Sequence, residues 1–314
     1  MSNLFLPKEI TSVGVPPVKC QGIKTKLIKF ISQSISWNGK GKWVEPFLGS
    51  GVVLFNICPK RALVSDTNKH IIQIYLEIQS NKITPSIVRD FLEDNSNKLL
   101  KDGQEYYNFI RTRFNETGSA LDLIFLNRSC FNGIMRFNSK GKYNVPFGHK
   151  PERFRKAYIT KIVNQVKWVS DIIRSRDWQF KVADWRETLS FAEENDFVYL
   201  DPPYIGRHTD YFNNWTEKDA IELSEYSRKL QCGYALSMWL ENKYRKNDHI
   251  ENHWNNLEIK SFAHFYHVGS KESLRNEMQE GLAIKPSFTS NEFEVGQLRK
   301  KEIKSTESLF ELVT

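Results

Sequence analysis

Lys42-Trp43-Val44-Glu45-Pro46-Phe47-Leu48-Gly49-Ser50-Gly51 is the stretch on which the reading of the fold turns. Its first six residues read as a short strand, and Gly49-Ser50-Gly51 as a tight turn. Val52 to Cys58 then opens a helix, Ala62-Leu63-Val64-Ser65-Asp66 is a second strand, and Asn68 to Ser80 a second helix. Strand, helix, strand, helix with a glycine turn at the first crossover marks a parallel α/β sheet. Small residues at such a turn let a ligand approach the backbone closely. The full GxGxxG of dinucleotide enzymes is absent, because Val52-Val53-Leu54 follow Gly51. This weakens a dinucleotide reading and leaves adenosine-type ligands open. An acid at the end of the second strand, here Asp66, commonly binds ribose hydroxyls. The structural alternative is a tight turn followed by a helix-capping Asp.

Outward from this unit the pattern breaks. Residues 81–126 read as several short helices, with turns at Asn95-Ser96-Asn97 and Asp102-Gly103. Ile134 to Phe147 reads as a hairpin turning at Asn138-Ser139-Lys140-Gly141. Helical periodicity resumes from Arg155 to Ile173. Strands follow at Trp178 to Asp184, Phe197 to Leu200, Cys232 to Met238, Leu257 to Val268 and Gly281 to Ile284. The expected architecture is a Rossmann-like α/β sheet with a mostly helical, basic lobe inserted between its second and third strands. Residues 1–70 and 156–314 would form a discontinuous catalytic domain, and 71–155 the lobe. The polar tail after Pro286 is expected to be loosely ordered, and the stretch 287–314 has no assigned role.

The apolar run Phe197-Val198-Tyr199-Leu200 reads as a buried parallel strand. Asp201-Pro202-Pro203-Tyr204 follows at its carboxyl end, where open α/β sheets bind ligands. Each prolyl ring fixes its own φ and removes a donor, so the loop is stiff and its carbonyls are free to accept. A carboxylate, aimed carbonyls and a stacking ring suit a flat heterocycle bearing an amino group. The plainer alternative is a Pro-rich strand exit with a packed tyrosine. Val182-Ala183-Asp184-Trp185 is a further strand end with an acid. Glu45, Asp66, Asp184 and Asp201 would then share one sheet edge, and a common nucleoside-binding crevice explains all four together.

The chain has 314 residues, of which 40% are hydrophobic and 13% aromatic, enough for a real core. Its formal charge is +8, and that excess is concentrated. From Arg111 to Lys161 there are eleven Lys/Arg against three acids, so the stretch accounts for the whole excess. A concentrated basic region points to a polyanion. Within it Arg128, Phe131, Asn132, Gly133, Ile134, Arg136 and Asn138 lead into Lys140, Lys142, Asn144 and Pro146. Arginine pairs in bidentate fashion with guanine and asparagine with adenine, while lysines suit phosphates. No run approaches 18 apolar residues, so no membrane span is expected. The first ten residues lack the order of a signal peptide. The four cysteines lie far apart without metal-type spacing, as in reduced thiols of a cytoplasmic protein.

Together these residues resemble the Dam-type, alpha-class family of DNA adenine-N6 methyltransferases. The likeness runs in the family's order from Pro16 to Ile284. Pro16-Pro17-Val18-Lys19-Cys20-Gln21-Gly22-Ile23-Lys24 is similar to its N-terminal cofactor segment, and Glu45 to Gly51 to its S-adenosylmethionine turn. Asp66-Thr67-Asn68 resembles its ribose-binding segment, Asn127 to Gly148 its DNA-reading hairpin, and Asp201 to Tyr204 its catalytic loop. Two departures stand out. Cys20 and Gln21 replace an aromatic and a glycine, and Phe131 stands where a tyrosine is frequent. The resemblance implies S-adenosylmethionine as cofactor, without a metal, and double-stranded DNA as partner. It implies a cofactor pocket drawn from Lys24, Glu45, Pro46, Phe47, Gly49, Ser50, Gly51, Asp66, Asn68, Asp184, Trp185 and Asp201. Asp201, Pro202, Pro203 and Tyr204 would be catalytic, acting on an adenine flipped from the duplex within a GATC-like or GA-containing site. The host would be a bacterium or phage, with the enzyme either solitary or paired genetically, not physically, with a cognate restriction endonuclease. Within enzymes, cytosine N4, a protein glutamine or RNA are rival substrates. From another class, a non-catalytic DNA-binding module is the rival.

Overall fold

The computed structural model describes residues 4–22, 24–204, 215–242, 245–265 and 277–291. Its centre is a run of parallel strands, β1 (Trp43–Glu45), β2 (Arg61–Asp66), β3 (Asp177–Val182), β4 (Phe197–Leu200) and β5 (Gly233–Asn242). β6 (Arg245–Lys246), β7 (Glu258–Phe265) and β8 (Glu277–Ile284) join by antiparallel pairing. The order is β3-β2-β1-β4-β5-β8-β7, with β6 paired to β5. The chain thus steps outward from β1 through β2 to β3, then returns to the other side of β1 for β4. A crevice opens where the order reverses in this way. The exits of β1 and β4 flank it.

Both β1 and β4 are buried at every position. Helices cover both faces of the parallel strands, so a strand there has no polar side. Side-chain alternation sorts the sheet into two cores. Trp43, Val64, Phe197, Tyr199, Ala235 and Leu282 face one. It includes α1 (Ile28–Ser34), α2 (Val52–Ile57) and α3 (Lys69–Gln79) and runs on without a break into the inserted helices. These are α4 (Pro85–Thr117), α5 (Ala120–Ser129) and α6 (Lys156–Arg174). Val44, Leu63, Val198, Leu200, Leu236 and Met238 face the other core. There they meet α7 (Trp185–Leu189), α8 (Glu217–Arg228) and α9 (Asp248–His253).

The insertion falls between β2 and β3, as expected, but two of its details differ. The turn expected at Asn95-Ser96-Asn97 is helix interior, and α4 breaks only at Gly103 (φ 49°, ψ −116°). Asn95 is buried. Its amide donates to the Phe91 carbonyl at 2.6 Å, and its Oδ1 accepts from the Tyr106 hydroxyl at 2.5 Å. An asparagine satisfied inside its own helix no longer competes for the backbone. The expected hairpin forms no strand ladder, only isolated bridges at Phe137–Tyr143 and Cys130–Phe147. Asn115 has taken the backbone of Tyr143 instead, accepting from its N–H at 2.7 Å and donating to its carbonyl at 3.0 Å. Residues 266–268 of the strand expected at Leu257 to Val268, and the tail from 292, lie outside the described residues.

Candidate active site

The turn after β1 presents bare backbone. Gly49 (φ +50°) and Gly51 (φ +69°) are both left-handed, a conformation that only glycine adopts freely. A Cβ at Gly51 would meet Phe55 at 2.9 Å, so packing fixes that position. A Cβ at Gly49 would meet nothing within 4 Å, so its backbone faces open space. Asp66 braces the turn from the end of β2. Its Oδ2 accepts from Gly49 N–H at 2.9 Å and its Oδ1 from Asn68 N–H at 2.8 Å. Burial pushes the Asp66 carboxyl up, and these two bonds pull it part of the way back. Tyr75 holds the same turn from behind by donating its hydroxyl to the Ser50 carbonyl at 2.6 Å. Phe47 meets Trp215 edge to face, with ring centroids 5.5 Å apart. Pro46 is buried beneath the turn. Glu45 is buried too, with Trp43 Nε1 donating to its Oε1 at 2.7 Å, and burial pushes its carboxyl up to about 8. An acid raised by desolvation gains most when a cation reaches it.

Across the crevice Asp201 leaves β4 and meets Lys24, Oδ1 to Nζ 2.9 Å. Lys24 is 5% exposed and Asp201 22%, so the pair lies just beneath the surface with its carboxylate reachable from the crevice. Lys24 also donates to the Gly22 carbonyl at 3.2 Å and lies 5.0 Å from the centre of the Tyr204 ring. Burial works against the Lys24 charge, but Asp201, Tyr204 and Glu280 outweigh it and hold the ammonium well above its ordinary range. Burial raises Asp201, and Lys24 offsets part of that rise. One stiff loop thus carries a restrained carboxylate, the prolyl carbonyls and a half-buried ring.

Three expected cofactor residues are employed elsewhere. Asn68 is the N-cap of α3, its Oδ1 accepting from His70 N–H at 3.1 Å, so its amide serves the helix. Trp185 is core: it is buried edge-on against Tyr226 at 5.9 Å, with the Arg186 guanidinium 4.3 Å over its ring. Asp184 sits at the β3 exit but is 46% exposed. It caps α7 through Arg186 N–H at 2.9 Å and pairs with the Arg186 side chain at 3.1 Å. Three strand-end acids therefore turn inward and the fourth turns to solvent.

In the lobe, burial alternates along the reading loop. Met135, Phe137, Tyr143, Val145 and Phe147 are buried, while Asn138, Lys140, Lys142 and Pro146 are exposed and Ile134, Arg136 and Asn144 half-buried. Phe131 and Asn132 are exposed at the loop's start, and Gly133 is half-buried beside them. Asn138 spends its Oδ1 on the turn, accepting from Lys140 and Lys142 N–H at 3.0 Å each. Arg136 Nε donates to Asn144 Oδ1 at 2.9 Å, so these two expected base readers brace each other. Arg128 is not a DNA contact but a buried strut, 2% exposed. Its guanidinium donates to the Pro17 carbonyl, 3.0 Å from Nε, and to Gln165 Oε1 at 2.7 Å. It ends a helix whose last turn faces the N-terminal segment rather than solvent. Asn127 beside it grips both backbone groups of Lys19, at 2.8 and 2.9 Å.

Residues 21–276 match the family model described as D12 class N6 adenine-specific DNA methyltransferase. The chain belongs to that family. The methyltransferase is 28% identical over 231 residues to the type II methyltransferase M1.LlaDCHI of Lactococcus lactis, covering 68% of this chain and 76% of that one. It is 28% identical over 257 residues to M.MjaIII of Methanocaldococcus jannaschii, covering 73% and 84%. A DNA adenine methylase of Vibrio cholerae is 29% identical over 211 residues, covering 63% and 71%. The Dam-type resemblance in the sequence therefore holds, and with it site-specific methylation of adenine N6 in DNA on a Rossmann-like methyltransferase sheet.

Two parts of this methyltransferase's crevice escaped the sequence reading. Glu280 of β8 is buried, pairs in register with Trp239 and Phe262, and acts electrostatically on Lys24, Asp201 and Tyr204. The available signal was an acid directly preceding the apolar Gly281-Leu282-Ala283-Ile284, since unpaired acids are almost never fully buried. Trp215, against Phe47, sits one residue before the Thr216–Asp219 capping box of α8, and that box is legible as a helix start.

Proposed function

We propose that the methyltransferase holds S-adenosylmethionine in the crevice between β1 and β4 and methylates an adenine turned out of duplex DNA. The observation that carries this reading is the Asp201–Lys24 pair at the reversal of the sheet, opposite the open backbone of Gly49. S-adenosylmethionine supplies a methyl group made electrophilic by its sulfonium. Adenine N6 is a poor nucleophile because its lone pair is delocalised into the ring. Asp201 and the Pro202 carbonyl each accept one N6–H bond, so the nitrogen becomes pyramidal and its lone pair turns towards the methyl group. Transfer would then be direct: the sulfonium–methyl bond would break to leave a thioether as the nitrogen–methyl bond forms, the surplus N6 proton would pass to solvent, and no metal ion is required. Lys24 counters the burial that raises Asp201 and fixes the direction of its carboxylate. Tyr204 stacks on the extruded base. Extrusion costs a few kcal/mol, and stacking worth roughly 1–3 kcal/mol offsets part of that. Glu45, whose carboxyl meets no cation among the described residues, takes the cofactor's amino group. Asp66 takes the ribose, while Asp184, exposed and paired with Arg186, is left out of the grip on the cofactor.

The segment 71–155 is the recognition lobe, with its outward loop residues on the DNA of a GATC-like or GA-containing site. The bacterial or phage-encoded enzyme works in the cytoplasm, alone or in genetic partnership with a restriction endonuclease. No helix among the described residues is long and apolar enough to cross a membrane. The test is to sequence the DNA of a host expressing the chain by a method that detects N6-methyladenine. Modified adenine confined to one short motif, and lost with Asp201→Ala, is expected. Unmodified DNA from the active chain, or modification that survives in Asp201→Ala, would overturn the reading.

A further inference from the structure

The positive charge of the lobe does not end with the reading loop. Where the chain passes from that loop into α6, an open cleft is lined by Lys150, Glu152, Arg153, Arg155, Tyr158 and Lys161. Four of these are cations and one is an acid. The acid lies at the rim, 3.8 Å from Arg155 in a contact between exposed side chains, and neutralises little. The floor is more informative. Arg153 donates from Nε to the Arg128 carbonyl at 3.0 Å and from Nη2 to the Tyr158 hydroxyl at 3.2 Å, with its guanidinium 4.7 Å from the Tyr158 ring centre. Burial alone would raise the Tyr158 phenol; Arg128, Lys19 and Arg153 around it more than reverse that. Among the described residues, Arg128 and Arg153 bond only to carbonyls, an amide and this phenol. Burying like charges without a counter-ion is unfavourable. A site built this way is completed by an anion from outside.

We propose that this cleft is a second DNA contact, which takes backbone phosphates of the duplex beside the methylated site while the reading loop takes the bases. Two observations select DNA as the occupant. The family's substrate is DNA, and only Gly148 and His149 separate the end of the reading loop, Phe147, from Lys150 at the cleft's lip. Because α6 packs on α3, which itself lies against β2 and β3, a phosphate held here fixes the duplex relative to the catalytic crevice and not merely to the loop.

The test uses Arg155→Ala together with Lys161→Ala in the full chain, since both side chains are exposed and neither is placed in the crevice. Binding to a long duplex is measured against salt, for a cognate and a non-cognate sequence. The expected result is affinity weakened by about three- to tenfold at low salt, equally for both sequences, with the salt slope smaller by about two. The methylated motif and the affinity for S-adenosylmethionine stay unchanged. Duplexes shortened stepwise from each end supply the second arm. The unaltered enzyme should lose the same increment once the duplex stops short of the cleft, and the double variant should be indifferent to that truncation. An unchanged salt slope overturns the proposal. So does a loss confined to the cognate sequence, or a double variant that still loses affinity on truncation.

Discussion

Lys24 and Arg128 are both buried cations, yet they are neutralised in different ways. Lys24, at the sheet, meets the Asp201 carboxylate at 2.9 Å, with Glu280 acting on it as well. Arg128, in the lobe, meets a peptide carbonyl and a side-chain amide. The crevice carries its own counter-charge, as the proposed grip on an amine requires. Arg113 in the lobe has Asp122, but among the described residues Arg128 and Arg153 have no such acid, as suits a partner that brings negative charge with it. The family assignment makes that partner DNA.

The sharpest way to break this contrast is at Asp201. Asp201→Ala should lower single-turnover methyl transfer about a thousandfold, the upper range for loss of one preorganised electrostatic partner. Titration calorimetry should find S-adenosylmethionine binding within about tenfold of normal. Near-normal turnover would show that the pair with Lys24 is structural only. Arg128→Ala strands the Pro17 carbonyl and the Gln165 amide in a buried place. It should cost about 2–4 kcal/mol in urea unfolding, while the salt slope of DNA binding stays as it was. A changed slope with intact stability would return Arg128 to the DNA surface.

Smaller effects sharpen the comparison. Arg136→Ala should relax sequence choice by roughly 1–3 kcal/mol. Lys142→Ala should instead weaken every sequence alike and reduce the salt slope by about one. Competition binding across a set of single-base variants separates the two, and a uniform loss for Arg136→Ala would remove it from base reading. Glu45 supplies a pH test. Burial lifts its carboxyl to about 8 from an ordinary 4.5, so the folded enzyme favours its protonated form. The stability this contributes is complete below 4.5 and is lost as pH rises through 8. Cofactor binding, which draws on the ionised form, should strengthen about tenfold between roughly pH 7 and 9 and become flat in Glu45→Gln. An equally steep profile in Glu45→Gln would assign that dependence to another group.

The crevice was legible because backbone topology alone positions it. A glycine turn after one buried strand and an acid after another converge wherever the sheet reverses, whatever their side chains then touch. Asn68, Trp185 and Arg128 were misread for the opposite reason. Each stands at a helix end, where a polar or aromatic side chain can face ligand, cap or core. For Arg128 the deciding partner, Pro17, is 111 residues away. Glu280 was hidden because its orientation depends on the antiparallel register of β8 with β5. The reading loop lay between these cases: its residues were visible, but Asn115, which supplants the ladder, lies outside the loop itself.

The apolar core that runs unbroken from the sheet into α4, α5 and α6 limits how this enzyme can acquire new specificity. A segment that shares its interior with the catalytic layer cannot be grafted onto a sister enzyme as a cassette, since transplantation would tear that interior open. On the proposed reading, retargeting is left to the surface positions of the loop, such as Arg136 and Pro146. These can mutate one at a time while Met135, Phe137, Tyr143 and Val145 keep the scaffold intact. Divergence by point substitution, rather than by shuffling of whole lobes, is the evolutionary course such an interior permits.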